Sequence, residues 1–110
     1  MKKTKKNRLE HAGWRFGSAS DFLGLTPEEE AFVAVKLALA QSLKRRRQRK
    51  RLTQIELAKL LKSSQSRVAK MEAGDPSVSI DLLVRSLLVL GASPKELAQI
   101  IGGLSLSPAV

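Results

Sequence analysis

The chain has 110 residues, 43% of them hydrophobic, and its 20 Lys and Arg against 10 Asp and Glu give a formal net charge of +10. This length suits one domain with short appendages, and the lack of cysteine together with a single histidine excludes disulfides, thiol catalysis and Cys- or His-based metal clusters. The longest apolar run, residues 31–40, contains Lys36 and is too short for a bilayer, and no secretory signal is evident, so we expect a cytoplasmic protein with no membrane association, metal or cofactor.

Residues 1–25 form a basic N-terminal arm. Residues 1–19 show neither helical nor strand periodicity and contain Gly13, Gly17 and Ser18. A segment of this kind buries too little apolar surface to fold by itself. We therefore predict a flexible arm, or one that becomes ordered only on a partner.

Five helix starts follow, each marked by a Thr or Ser that can cap a helix, and three of them also have the Glu that completes a capping box. The predicted starts and ends are Thr26 and about Lys50, Thr53 and about Leu61, Ser64 and Gly74, Ser79 and Gly91, and Ser93 and Gly102. No strand-like alternation occurs. The sequence thus predicts a compact all-α domain over residues 26–103, with an extended first helix, and a short tail over residues 104–110.

Apolar residues at helical spacing predict the core. The expected core residues are Phe32, Val35, Leu39, Leu43, Leu57, Ala58, Leu61, Val68, Met71, Ile80, Leu83, Leu87, Leu90 and Leu97, with Ile100 or Ile101. The first helix has a second apolar ridge, Val33, Leu37 and Ala40, about 120° from the first. Either the N-terminal segment or another chain is expected to cover this ridge.

The stretch from Leu52 to Gly74 predicts two short helices joined by a tight turn. Val68 and Met71 of the second of these helices point to the core, which leaves a small polar surface on the opposite side. Gln can bond adenine through two atoms, and Lys and Arg favour guanine, so this surface suits the major groove of DNA. The predicted base-contacting residues are Gln65, Ser66, Arg67, Ala69 and Lys70. The alternative is that Gln65 and Ser66 only cap and solvate a surface helix.

This stretch resembles the XRE/Cro-type helix-turn-helix family, which includes lambda-type phage repressors. The matching residues are Leu52, Thr53, Gln54, Glu56, Leu57, Ala58, Leu61, Ser64, Gln65, Ser66, Val68, Glu72 and Gly74. The resemblance covers about residues 37–102 and implies a five-helix, lambda-repressor-like domain that binds DNA. Lys62 stands where the family has its turn glycine, Ser63 replaces an apolar residue, and Arg51 replaces a frequent glycine. A non-glycine in a left-handed turn costs on the order of 1 kcal/mol.

Phosphate contacts are expected from exposed helix N-termini and from cations near them. The predicted phosphate-binding residues are Thr53, Gln54, Lys62, Ser64, Arg47 and Arg51, of which Arg47 is a family-matching position. Gln54 either contacts a phosphate or braces Gln65. The run Lys44–Arg51 holds seven cations, more than a helix dipole requires, so a subset is expected on phosphate. Dipole compensation and a nuclear import signal are the alternatives.

A segment upstream of the helix-turn-helix, Asp21–Glu30, resembles HigA-type antitoxins, which neutralise toxins of the RelE/HigB class. The resemblance implies a toxin-binding segment joined to a DNA-binding domain that represses the shared operon. Large apolar side chains in a polar arm would dominate such an interface, unless they fold onto the first helix of the same chain. The predicted partner-binding residues are Trp14, Phe16, Phe22, Leu23, Leu25, Val33 and Leu37.

The sequence therefore favours a non-enzymatic, homodimeric repressor of a palindromic operator on double-stranded DNA that is also the antitoxin of a small toxin protein. A stand-alone phage-type or restriction-control repressor is the first alternative. A non-specific RNA or membrane-surface binder acting through the basic run is a remote one, since a net charge of +10 attracts any polyanion. No nucleophile–base pair, carboxylate pair or phosphate loop that would indicate catalysis is discernible.

Overall fold

The computed structural model describes residues 24–104, in which all regular secondary structure is helical. The helices are α1 (Pro27–Arg49), α2 (Gln54–Leu61), α3 (Gln65–Ala73), α4 (Ile80–Val89) and α5 (Pro94–Gly102). This confirms the predicted all-α helix-turn-helix fold with its long first helix. The predictions for the arm up to residue 23, including Trp14, Phe16, Phe22 and Leu23, and for the tail beyond Leu104 lie outside the described residues.

The predicted caps begin the helices. The Thr53 hydroxyl accepts a hydrogen bond from the Glu56 amide at 3.0 Å, and the Glu56 carboxylate accepts one from the Thr53 amide at 2.8 Å. Ser93 and Glu96 make the same reciprocal pair at the start of α5. These bonds satisfy amides that have no partner inside the helix, and each cap stabilises the fold by about 1 kcal/mol.

Residues 35–104 form one compact unit, and residues 27–34 of α1 belong to a different unit. The core of the unit of residues 35–104 is aliphatic, apart from one methionine. Its fully enclosed large side chains are Leu39, Leu43, Leu57, Val68, Met71, Leu83 and Leu87, and the core also contains Ala40, Ala58, Val78, Leu90 and Ala92. Val35, Leu61, Ile80, Leu97 and Ile100 pack partly against it, as the helical spacing predicts.

The structure differs from the core prediction for α1 at Phe32, and from the ridge prediction at Ala40. Phe32 is 56% exposed, and the core stripe of the unit of residues 35–104 begins at Val35. On the second ridge, Ala40 is buried in the core of the same chain. Leu37 is half-buried against the end of α3, where a Cβ on Gly74 would lie 2.7 Å from its Cδ2 atom. Gly74 also has φ +70, so this position needs glycine for two reasons.

The turns on either side of α2 are strained. Arg51 (φ 59) and Lys62 (φ 57) are the non-glycine residues with positive φ within residues 24–104. Lys62 is the C-cap of α2, and its amide donates to the carbonyl of Lys59. Both residues therefore have a left-handed conformation, which the glycine that the XRE/Cro-type family has at these positions would adopt without strain.

We expect Lys62→Gly to raise the free energy of unfolding by about 0.5–1 kcal/mol, because relief of left-handed strain exceeds the extra chain entropy that glycine loses on folding. Urea denaturation monitored by circular dichroism measures this. Lys59→Gly is the matched control: Lys59 is exposed inside α2, so its replacement should lower stability by about 1 kcal/mol. A loss of stability in both variants would contradict the strain argument.

Candidate nucleic-acid interface

The helix pair α2 and α3 presents one side of α3 to solvent. Val68 and Met71 are completely buried, which fixes the rotation of α3 about its axis. Of the five predicted base-contacting residues, Ala69 is half-buried. The other four are exposed: Gln65, Ser66, Arg67 and Lys70. The structure thus brings the predicted residues together on one free helix face, whose role in contacting bases stays a prediction.

A chain of hydrogen bonds runs from α1 to the first residue of α3. Arg47 donates to both carboxylate oxygens of Glu72, from Nε at 2.5 Å and from Nη2 at 3.0 Å. The same carboxylate accepts from Gln54 Nε2 at 3.1 Å, and Gln54 Oε1 accepts from Gln65 Nε2 at 3.0 Å. Four side chains from α1, α2 and α3 are therefore coupled, and the last of them is the predicted base-contacting Gln65.

The Arg47–Glu72 pair is withdrawn from solvent. The side chain of Arg47 is 11% exposed and that of Glu72 is 4% exposed. The hydrogen bond to Glu72 raises the pKa of Arg47 above its ordinary value, against the opposing effect of burial. Arg47 Nη1 also donates to the backbone carbonyl of Leu52 at 2.7 Å, so the guanidinium holds the start of the α1–α2 loop as well.

This geometry gives Arg47 a structural role inside the protein. Each of its three guanidinium nitrogens donates one hydrogen bond to a protein group, which uses three of its five N–H donors, and its contact with phosphate stays a prediction. The sequence contains a signal for Glu72 as the partner of Arg47. Glu72 follows Val68 by four residues, which places a carboxylate on the inward side of α3, where it needs a cation.

Gln54 fits the bracing alternative. Its Nε2 donates to Glu72, and its Oε1 accepts one hydrogen bond from Gln65 Nε2, so Gln54 links the two side chains. A primary amide has two N–H donors and a carbonyl acceptor, so Gln65 keeps one donor and its oxygen for another partner. Those two groups are the ones that a bidentate contact to adenine requires.

The other predicted phosphate-binding residues, Thr53, Lys62, Ser64 and Arg51, are all exposed. The Ser64 hydroxyl accepts from the Arg67 amide at 3.1 Å and so caps α3. Of the partner-binding residues that the structure describes, Leu25, Val33 and Leu37 are half-buried. The partner-binding role of these residues and the phosphate-binding role of the others stay predictions.

Sequence reasoning missed a shallow cleft of about 270 Å³ beside α3, lined by Ser64, Ser66, Arg67, Lys70, Ser77 and Val78. Ser77 donates its hydroxyl and its amide to the carboxylate of Asp75. These bonds lower the pKa of Asp75, and Lys70 and Lys36 add to the effect. The loop after α3 therefore has a fixed shape next to the exposed helix face.

The basic run was expected to place only a subset of its cations on phosphate. Two of its seven cations are paired inside the unit of residues 35–104: Arg47 with Glu72, and Arg46 with Glu96 of α5 at 2.9 Å. The other five are exposed: Lys44, Arg45, Arg49, Lys50 and Arg51. The hydrogen bond from the Ser93 amide, together with the one from Arg46, lowers the pKa of Glu96.

We expect Arg47→Ala to lower the free energy of unfolding by about 3 kcal/mol or more, because it leaves the Glu72 carboxylate buried without its cation. Chemical denaturation measures this. Arg85→Ala is the control, since the Arg85–Asp81 pair is more than 70% exposed on both sides and should contribute less than about 1 kcal/mol. Equal effects of the two substitutions would show that the buried pair does not hold α1 to α3.

Comparison with known proteins identifies the family. No curated protein and no solved structure matches the chain significantly. In the described part of the chain, no helix has the length and apolar character needed to cross a membrane. The helix-turn-helix domain family matches residues 38–100, which is more than half of the 110 residues and includes α2, the turn and α3. The chain therefore belongs to the helix-turn-helix domain family, with XRE-like character, and is a DNA-binding regulator.

Proposed function

We propose that the protein is a sequence-specific repressor that inserts α3 into the major groove of a palindromic operator and contacts bases through Gln65, Ser66, Arg67, Ala69 and Lys70. The observation that carries this proposal is the bracing of Gln65 by Gln54, which orients an exposed amide while leaving a donor and an acceptor free. Because Gln54 is itself held by Glu72, little side-chain entropy is lost when Gln65 meets a base.

Phosphate contacts would position α3 over the bases. In this proposal Thr53 and Ser64 donate their hydroxyl protons to phosphate while their oxygens still accept from the helix amides. The N-termini of α2 and α3 favour negative charge. Lys62 and Arg51 add cations at the two ends of α2, and the strain at both positions is explained if the charge serves DNA binding. Gln54 is assigned to bracing.

A palindromic site requires a two-fold dimer with half-sites about one helical turn apart. We assign the dimer contact to α5 with Leu104 and Leu106, of which Leu106 lies outside the described residues. Helix α5 contributes no fully buried residue: Leu97 and Ile100 are half-buried, Ala98 is exposed and Ile101 is 41% exposed. A second copy of α5 would cover this face. Sedimentation equilibrium of the free chain and of its operator complex checks the assignment, and one monomer per palindrome would contradict it.

We expect Gln65→Ala to weaken binding by about 1–3 kcal/mol at one base pair of each half-site and to relax the preference at that position. Binding to a set of operators with single base changes measures this. Gln41→Ala is the control, because Gln41 is exposed on α1 and leaves α3 untouched. If Gln65→Ala changes nothing while removal of the exposed cations of Lys44–Arg51 abolishes binding, the protein is a non-specific polyanion binder.

We further propose that the repressor is the antitoxin of a small RelE/HigB-like toxin, on the resemblance of Asp21–Glu30 to HigA-type antitoxins. Among the described residues of the predicted interface, the half-buried Val33 retains exposed surface for a partner. The stand-alone repressor is the alternative, and the two differ in what the segment 1–25 does.

We expect a chain lacking residues 1–25 to keep its operator affinity and to lose both complex formation with the toxin and the rescue of growth. Co-purification and growth after co-expression with the product of the neighbouring gene measure this. Gln65→Ala serves as the reciprocal control, since it should retain the complex and lose operator discrimination. Failure of the intact chain to form any complex would leave only the stand-alone repressor.

A further inference from the structure

The cleft beside α3 lies on the flank of that helix that faces the following loop. Its volume is about 270 Å³, and its lining comes from α3 and the loop: Ser64, Ser66, Arg67, Lys70, Ser77 and Val78. Arg67 is two positions from Gln65, which at about 100° per residue places the two side chains roughly 160° apart around the helix axis. Gln65 is hydrogen-bonded to Gln54 of α2. The two flanks of α3 therefore differ: one meets α2, and the other, with Arg67, opens into the cleft.

The loop that closes the cleft is held in place by contacts within the protein. Lys36 of α1 is 9% exposed, and its Nζ atom donates to the carbonyl of Pro76 at 3.2 Å. Ser77 donates its amide and its hydroxyl to the Asp75 carboxylate, and the Val78 amide donates to the Asp75 carbonyl at 3.0 Å. A preformed cleft of this kind loses little conformational entropy when it takes up a ligand.

The α3 side of the cleft offers positive charge and free hydrogen-bond donors. The Ser64 hydroxyl accepts from the Arg67 amide, so its own proton remains available. Within residues 24–104, no acidic side chain forms an ion pair with the exposed Arg67. Lys70 adds a second cation, which also acts on the nearby Asp75 carboxylate. A guanidinium beside a helix N-terminus suits an anion with several oxygens, such as a phosphate group.

The direction of Arg67 on α3 favours the DNA backbone over a base. Arg67 lies about 40° from the buried Met71 around the helix axis, whereas Ser66 lies about 140° from it. Ser66 therefore points away from the core, toward the floor of a groove that α3 enters, and Arg67 points sideways. Base edges lie at the floor of the major groove, about 8.5 Å deep, and phosphates lie along its edges. A sideways guanidinium in a cleft closed by a loop is thus placed to meet a phosphate.

We propose that the cleft is a phosphate-binding site, with Arg67 as its main ligand and the Ser64 hydroxyl as a second donor, and that it holds one backbone phosphate of each operator half-site. This inference rests on the proposed function and narrows it at one residue, because Arg67 then contacts the backbone instead of a base. A small phosphorylated molecule has the same chemistry as the backbone, and the experiments below separate the two sources.

A neutral phosphate analogue tests the contact. Single methylphosphonates are placed in turn along the backbone of the operator, and the affinity of the full chain for each duplex is measured. At one position of each half-site, the substitution is expected to weaken binding of the wild-type chain at least about fivefold. The same duplex should weaken binding of Arg67→Gln less than about twofold, because the variant has already lost the contact.

The base preference of Arg67→Gln gives an independent measurement. We expect this variant to bind every operator with a single base change more weakly by the same factor, and its salt dependence to be shallower by about two units for two contacts per dimer. Arg85→Gln is the matched control, since Arg85 is an exposed arginine of α4 outside the cleft. It should leave both the methylphosphonate profile and the salt dependence unchanged, and circular dichroism checks that both variants fold.

The absence of any methylphosphonate position that affects the wild-type chain more than Arg67→Gln would overturn the proposal. So would a changed preference of Arg67→Gln at one base pair, which would return Arg67 to a base contact and leave the proposed function in place. A wild-type chain that binds the operator and unrelated duplexes equally contradicts the proposed function itself.

The chain without DNA distinguishes the backbone from a small ligand. Sodium phosphate is titrated into ¹⁵N-labelled protein at constant ionic strength, and the amide shifts of residues 64–70 are followed. We expect saturation only above about 10 mM, because a single exposed phosphate contact is weak and screened. Saturation below about 1 mM that is lost in Arg67→Gln, with release of the operator at the same phosphate concentration, would assign the cleft to a small phosphorylated molecule and overturn the backbone assignment.

Discussion

The buried ion pair between Arg47 and Glu72 is the constraint on which the interface depends. It joins α1 to α3, and the same carboxylate fixes Gln54, which in turn holds Gln65. Transferring a charged side chain from water to the protein interior costs free energy unless a well-oriented partner of opposite charge compensates for the lost hydration. Here the bidentate contact and the additional bond to Leu52 satisfy the guanidinium. The buried ion pair thereby orients the Gln65 side chain on the surface of the unit of residues 35–104.

The turns around α2 combine backbone strain with exposed positive charge. Lys62 and Arg51 hold left-handed conformations that glycine would adopt more easily, yet both are exposed cations at the ends of the helix that supports α3. Strain that persists at a surface position suggests a function for the side chain rather than for the backbone. In the proposed repressor this function is the attraction of phosphate, so stability and DNA affinity are expected to change in opposite directions when glycine is restored at Lys62.

The cations of the basic run Lys44–Arg51 are distributed by helix geometry rather than by sequence order. Neighbouring cations of the basic run are separated by 100° on α1, so Arg46 and Arg47 enter ion pairs while Arg45 and Arg49 face solvent. A run that looks uniform in the sequence therefore separates into two arginines that pair with acidic residues of α3 and α5 and five cations that stay exposed.

The sequence by itself determined the helices, their caps and most of the core, because capping boxes, terminal glycines and helical spacing are local signals. It also determined which side of α3 is exposed, since Val68 and Met71 fix the rotation of that helix. The tertiary structure alone decided the partners of long side chains. Arg47 pairs with Glu72, Phe32 was expected in the core and is exposed, and Leu37 packs where Gly74 leaves room. These outcomes depend on contacts between residues 25 or more positions apart or on where the core ends along a continuous helix, and no local pattern contains that information.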